Sequence, residues 1–288
     1  MQPTRSLTAH CTLSHHPAGQ PLLTVDNGYA KAEISLFGAH VLSYQRHDEP
    51  ASIWLSDKAV LDGSKPIRGG IPLCWPWFGP APARVGSGKP SHGFARTSLW
   101  TLDGVSDHGD GTLVHLSLRD NEATRQLWPH AFELELDVLV GKELALVLTT
   151  RNTGKAPLVY SGALHTYLQI SSPESVSVSG LGEPYADKLT GQNGQQQGPM
   201  TLNGPLDRVY WQPAAHVSIQ DGERETRVVS GNHDSVVVWT PWIEGATAMA
   251  DMSDDGYRTM LCVEAAIASE AGVTVAPDEE HSFSTVII

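Results

Sequence analysis

The sequence predicts an all-β fold of packed antiparallel sheets, and three observations predict it. Apolar and polar residues alternate with period two over many segments. Turns rich in glycine, proline, asparagine and aspartate separate those segments throughout. Helical periodicity is weak, with one segment near Ile243–Met252 long enough for a turn or two. Together these favour antiparallel sheets over a parallel α/β fold.

The elements follow in chain order. Leu23-Thr-Val-Asp-Asn-Gly28 leads into Ala30, Ala32, Ile34 and Leu36, which alternate with Lys31, Glu33 and Ser35. Asn27-Gly28 can supply the positive φ angles of a tight hairpin turn. Val114, Leu116 and Leu118 repeat the alternation. The strongest signal is Phe132, Leu134, Leu136, Val138 and Val140, then Gly141-Lys142, then Leu144, Leu146 and Leu148, which reads as a β-hairpin. Val176 and Val178 mark another strand, and the polar stretch Gly191–Pro199 reads as an exposed loop within the domain. No internal repeat is visible.

With 288 residues, 40% of them hydrophobic and 18% charged, the chain can bury a large core. One domain over 1–288 is expected, with residues 1–20 as a mobile N-terminal segment. A formal net charge of -13 opposes binding to nucleic acid or to an anionic membrane, while leaving room for a local anion site built from a few arginines. Cys11, Cys74 and Cys262 are odd in number, far apart and without metal-ligand spacing, so they read as reduced thiols. The first residues lack a signal-peptide apolar region and no run is long enough to span a bilayer, so a cytoplasmic protein is expected. His10, Cys11, His15 and His16 could catch a metal, but a solvated terminus is the better account of them.

Chemistry concentrates in Arg68-Gly-Gly-Ile-Pro-Leu-Cys-Trp-Pro-Trp-Phe-Gly79 and His92-Gly-Phe-Ala-Arg96. Two guanidinium groups, a histidine and several aromatic faces fall within about thirty residues, on backbone too rich in Gly and Pro for helix or central strand. Arginine forks suit phosphate or carboxylate, and flat rings suit the apolar faces of a sugar. Each residue also has a plainer reading. His165 sits in an apolar, strand-like run, where a lone histidine is commonly a satisfied core residue. Glu264 shares its face with Met260 and Cys262, opposite Leu261 and Val263, where an ion pair with an arginine would account for it. Arg68 and Arg96 could simply bond nearby carbonyls, Asp207 could cap a turn, and the tryptophans at 75, 77, 239 and 242 read as core corners.

Taken together the motifs point further. Arg-Gly-Gly-Ile-Pro at 68–72, Trp-Pro-Trp-Phe-Gly at 75–79, His-Gly-Phe-Ala-Arg at 92–96, Leu-His-Thr-Tyr at 164–167, Thr-Pro-Trp at 240–242 and Cys-Val-Glu-Ala at 262–265 occur in one order. Each is weak alone, but the ordered set resembles the hexose-6-phosphate mutarotases, or glucose-6-phosphate 1-epimerases, of the aldose 1-epimerase superfamily. The resemblance implies a galactose-mutarotase-like β-supersandwich, which strand spacing alone could not identify. It also implies His165 as general acid and Glu264 as general base. By the same resemblance Arg68 and Arg96 hold the phosphorylated sugar, Asp207 is a substrate-binding aspartate and His92 a second active-site histidine. One departure stands out: Ser91 replaces the glutamine common before His-Gly-Phe-Ala-Arg, so a direct sugar contact is lost or passes through water.

The implied reaction opens a hemiacetal ring, turns the aldehyde face and closes the ring again. It requires no metal or redox cofactor. Ordinary values of about 4.3 for Glu and about 6.5 for His would leave the carboxylate ionised and the imidazole partly protonated, so little tuning is expected. The expected partner is a hexose 6-phosphate, and the expected state a monomer. Two rival readings follow, a mutarotase for free aldoses or another phosphosugar and a noncatalytic sugar-phosphate-binding regulator. A glycosidase lacks a well-supported carboxylate pair, and a serine hydrolase lacks Gly-x-Ser-x-Gly.

Overall fold

The longest alternating run sets the pattern for the rest of the chain. Phe132–Gly141 and Leu144–Asn152 pair antiparallel in a register that puts Leu144 opposite Val140, Leu146 opposite Val138 and Leu148 opposite Leu136. All six side chains are buried on one face. Each such side chain stabilises the fold by about 1.5–3 kcal/mol, so a one-residue slip would expose the whole set.

The computed structural model describes residues 4–288, and the paired strands within it are antiparallel. A nine-stranded sheet contains this hairpin, flanked by Gly111–Arg119 and Thr101–His108 on one side and by Glu280–Ile287 on the other. A five-stranded sheet is formed by Arg5–Ser6, Cys11–His15, Pro21–Asp26, Ala30–Ser35 and His40–Arg46. An eight-stranded sheet is centred on Met260–Ile267, with Ser235–Thr240 on one side and the short strands Gly162–Leu164 and Tyr167–Gln169 on the other. One apolar cluster runs between the sheets, from Leu23 and Ile34 through Trp75 and Phe132 to Val263 and Ile287. Helix is confined to Glu122–Leu127, Trp242–Ala248 and a few 3-10 turns among the described residues, and none of it is long and apolar enough to cross a membrane.

Several local expectations change. Residues 4–20 are not a loose tail: Arg5–Ser6 is an edge strand paired with Cys11–His15, which also pairs with Pro21–Asp26, and Cys11 is buried against the core. Residues 1–3 lie outside the described residues. Asn27-Gly28 does not form a tight positive-φ turn, because Asn27 is buried and used as a joint between two sheets. Its amide donates to the Val140 carbonyl at 2.8 Å and to Thr112 at 3.1 Å, while its side-chain oxygen accepts from Tyr29 and Ala30. The glutamine-rich stretch contains a strand, Gln192–Gln195, paired with Pro184–Asp187. The helix expected near Ile243–Met252 begins at Trp242 and ends at Ala248.

Candidate active site

The central strand of the eight-stranded sheet carries Glu264, and the chain facing it carries His165. Leu164 pairs with Ala265 and Tyr167 with Cys262, so the common register sets His165 across from Glu264. The two short strands part at His165 and Thr166, and the Thr166 carbonyl accepts from Val263 N–H at 3.1 Å. Leu261 and Val263 enter the apolar core, whereas Glu264 faces a cavity of about 470 Å³. Arg68, Ser91, His92, Arg96, His165, Asp207 and Glu264 all line that cavity, so the structure brings every candidate site residue together. A smaller cavity of about 280 Å³ at Tyr29, Asp110 and Lys142 contains none of them.

Glycine brings Arg68 into position. Gly69 and Gly70 have φ of 103° and 67°, and a Cβ on Gly70 would lie 2.3 Å from the Val41 carbonyl oxygen. Only glycine fits so tight a left-handed turn. The Gly69 carbonyl accepts from Nε2 of buried His40 at 2.8 Å, which fixes the loop from below. Arg68 then donates from Nε to Asp251 Oδ1 at 3.2 Å and from Nη1 to the Tyr167 hydroxyl at 3.1 Å.

Arg96 is held differently. It sits on the 3-10 turn Ala95–Thr97 and donates from Nη2 to the Ser91 carbonyl at 2.9 Å. Its Nε is buried without a partner, and among the described residues no carboxylate pairs with it. A guanidinium left unpaired in a cavity is an anion site in waiting. Ser91 therefore contributes its backbone, since its hydroxyl turns to the Gly79 carbonyl at 3.2 Å.

His92 adopts a φ of 62°, strained for a residue with a Cβ. A reciprocal pair holds it there: its N–H donates to the Gly79 carbonyl at 2.7 Å, and its Nδ1 accepts from Gly79 N–H at 3.2 Å. The hydrogen bond to Nδ1 puts the ring proton on Nε2. Burial pushes its pKa from 6.5 down to about 3, and Arg96, Lys188 and Arg68 push the same way.

His165 and Glu264 are 9% and 1% exposed, with Nε2 and Oε1 3.4 Å apart. Burial holds the imidazole well below its ordinary value, helped by His92, Arg96 and Arg68. Burial also drives the carboxyl well above its ordinary value, against the opposing pull of Lys188 and Arg96. The expectation of little tuning is thus corrected. Although the spacing is that of an ion pair, desolvation disfavours the charged form of both groups. His165 Nδ1 and Glu264 Oε2 have no hydrogen-bond partner, which is costly in a core and useful where a ligand brings its own hydroxyls. The His165 ring stacks on Tyr167 at 5.0 Å and meets Trp239 edge-on at 6.2 Å.

Donor atoms of His165, Cys262 and Glu264 lie within 4.8 Å of one another, a spacing that could hold a metal ion. Burial and Glu264 raise the Cys262 pKa well above its ordinary value, which favours the thiol form.

Sequence reading missed Lys188, Tyr167, Trp239, Phe78 and Asp251. Tyr167 was within reach, because it lies two residues from His165 on a strand-like run. Trp239 reads as a core corner yet lines the cavity, whereas Trp75 and Trp77 are fully buried. Nothing local to Lys188 or Asp251 marks them, since their partners come from other elements.

Known proteins resemble this chain in sequence and in fold. The aldose 1-epimerase family model matches residues 21–287. A protein of Escherichia coli (strain K12), provisionally named glucose-6-phosphate 1-epimerase, is 38% identical over 254 residues, 86% of this chain and 84% of that protein. A similarly named protein of Cenchrus ciliaris is 36% identical over 264 residues, 86% of this chain and 78% of that one. The crystal structure of a provisionally named mutarotase from Salmonella typhimurium superposes with a TM-score of 0.93 at 34% identity, covering 99% of this chain and 95% of that one. A galactose mutarotase-like protein from Clostridium acetobutylicum shares the fold, with a TM-score of 0.75 at 16% identity over 98% of this chain and 99% of that one.

Proposed function

The chain belongs to the aldose 1-epimerase family, and from that premise we propose that it interconverts the α and β anomers of D-hexose 6-phosphates, glucose 6-phosphate first among them. The observation that carries this reading is the His165–Glu264 pair, 3.4 Å apart at the base of a cavity that also holds Arg68 and Arg96. A hemiacetal presents two oxygens on one carbon. Two proton-transfer groups side by side can therefore serve both oxygens in a single approach.

Glu264 takes the proton of the anomeric hydroxyl as His165 protonates the ring oxygen. The ring opens, the aldehyde rotates, and closure from the other face reverses both transfers. Desolvation opposes the charged form of both groups, and the pair carries the same number of protons whichever partner holds them. Arg68 and Arg96 are among the charges that disfavour an imidazolium at His165. A phosphate dianion neutralises them, so binding the substrate shifts the proton toward the acid that needs it. In this way the phosphate assists chemistry as well as affinity. Asp207 and the Trp239 and Tyr167 rings supply an acceptor and apolar faces for the sugar.

Exchange NMR on purified protein tests the proposal, reading α/β interconversion of glucose 6-phosphate and of free glucose above the spontaneous rate. Acceleration selective for the phosphate ester is expected. Acceleration of free glucose alone moves the assignment to a general aldose mutarotase, and acceleration of neither, with binding intact, makes the protein a sugar-phosphate binder without turnover.

A further inference from the structure

Lys188 belongs to none of the sequence motifs, yet it is the third cation of the cavity. It leaves the turn after Pro184–Asp187, where the backbone is firmly tied. Lys188 N–H donates to the Asp207 carbonyl at 2.8 Å, and Asp187 Oδ1 accepts from the Leu189 and Thr190 amides at 3.0 and 3.1 Å. Arg208 Nε holds the other Asp187 oxygen at 3.0 Å.

The side chain, by contrast, is loosely engaged. It is 39% exposed, with Nζ 3.7 Å from Asp207 Oδ1 and 4.2 Å from the centre of the Phe78 ring. At 3.7 Å the ammonium is beyond hydrogen-bonding contact, so little is lost when it moves. A fixed backbone carrying a weakly paired cation is suited to reaching for a ligand.

His92 marks where that ligand would sit. Its ring lines the same cavity as Arg96, Lys188 and Arg68. Its Nε2–H is a further donor, because Nδ1 is already used by Gly79. Arg68 is partly neutralised by Asp251 and Arg96 has no carboxylate partner, so a doubly charged anion would still lack a full counter-charge without Lys188.

We propose that Lys188 is a third ligand of the substrate's phosphate, leaving Asp207 as it engages the anion and so freeing the Asp207 carboxylate to accept sugar hydroxyls. This rests on the sugar-phosphate reading above. It makes Lys188 a specificity-determining residue that couples phosphate recognition to recognition of the ring. A monoanionic or neutral sugar leaves the Lys188–Asp207 pair in place and the acceptor occupied.

The test compares Lys188→Met, which keeps the aliphatic stem and removes the charge, with Lys188→Arg, which keeps the charge. Calorimetry measures binding of inorganic phosphate, glucose 6-phosphate and free glucose to each, and exchange NMR measures turnover. Lys188→Met is expected to weaken glucose 6-phosphate by about ten- to a hundredfold, to weaken inorganic phosphate as well and to change free glucose much less, with Lys188→Arg restoring most of the affinity. Unchanged affinity for both anions in a folded Lys188→Met protein overturns the proposal. Equal losses for the phosphate ester and free glucose also overturn it, because Lys188 would then act on the sugar ring. If wild-type protein binds the sugar phosphate without accelerating exchange, the epimerase reading fails, while the affinities of the Lys188 variants still decide this one.

Discussion

The Phe132–Asn152 hairpin and the Met260–Ile267 strand are both buried, and they use burial in opposite ways. On the hairpin, one face is apolar and the polar groups that go inside are matched. Thr150 accepts from Trp75 Nε1 at 3.1 Å, and the Asn152 amide donates to the Ala156 and Val275 carbonyls at 2.9 Å each. On the Met260–Ile267 strand every residue is buried, one face packs against the apolar core, and the other holds Glu264 with one oxygen unmatched. The hairpin gains stability from burial, and the central strand gives some up to hold a carboxyl away from its ordinary pKa. Low local dielectric strengthens a completed network and penalises an incomplete one.

The largest expected effect lies on the functional side of this contrast. Glu264→Gln or His165→Ala should reduce turnover of glucose 6-phosphate by about 10²–10⁴-fold, with circular dichroism and melting behaviour retained. Near-normal turnover by either folded variant removes that residue from the reaction. On the hairpin the effect should be structural, with Leu148→Ala costing about 2–5 kcal/mol in denaturant unfolding. A loss of activity larger than its loss of stability explains would join the two regions that the comparison separates.

Acid should find a third weak point, under the Arg68 loop. Burial pushes His40 from 6.5 down to about 4, although its bond to the Gly69 carbonyl favours protonation. The unfolded chain therefore takes up a proton first as pH falls, and the stability this one histidine contributes, about 3 kcal/mol, is lost between pH 6.5 and about 4. Urea midpoints across that range read it, and His40→Gln should flatten the slope. An equally steep slope in the variant would place the acid sensitivity elsewhere. The smallest expected change has the opposite sign to a usual core substitution. Glu264→Leu should leave stability unchanged or raise it by about 1 kcal/mol while abolishing turnover, because it removes a desolvated, half-satisfied carboxyl. A clear destabilisation would mean that Glu264 contributes to the fold as the hairpin leucines do.

The legible parts of the sequence were those governed by period. Alternation from Phe132 to Leu148 is enough to place a hairpin, and it also puts Glu264 on the face opposite Leu261 and Val263. Residues that belong to the site through motif order, Arg68, His92, Arg96, His165 and Glu264, were legible because they sit in stretches whose glycines and aromatics have few other uses. Lys188 and Asp251 were not. Asp251 meets Arg68 across 183 residues, and Lys188 meets Phe78 and Asp207 from a turn that lies outside every motif. Asn27 was misread for the same reason, since a residue typical of turns becomes a buried joint only when a second sheet covers it.

The sequence by itself determined the sheet-rich architecture, the glycine-made loop that carries Arg68 and the family to which the chain belongs, because these depend on side-chain period and on backbone that only glycine can adopt. The tertiary structure alone decided the state of the site: which cations remain unpaired, which histidine nitrogen donates, and how strongly desolvation opposes charge on the His165–Glu264 pair. Those properties follow from desolvation and from charges brought together across the chain, and neither exists until the sheets have packed.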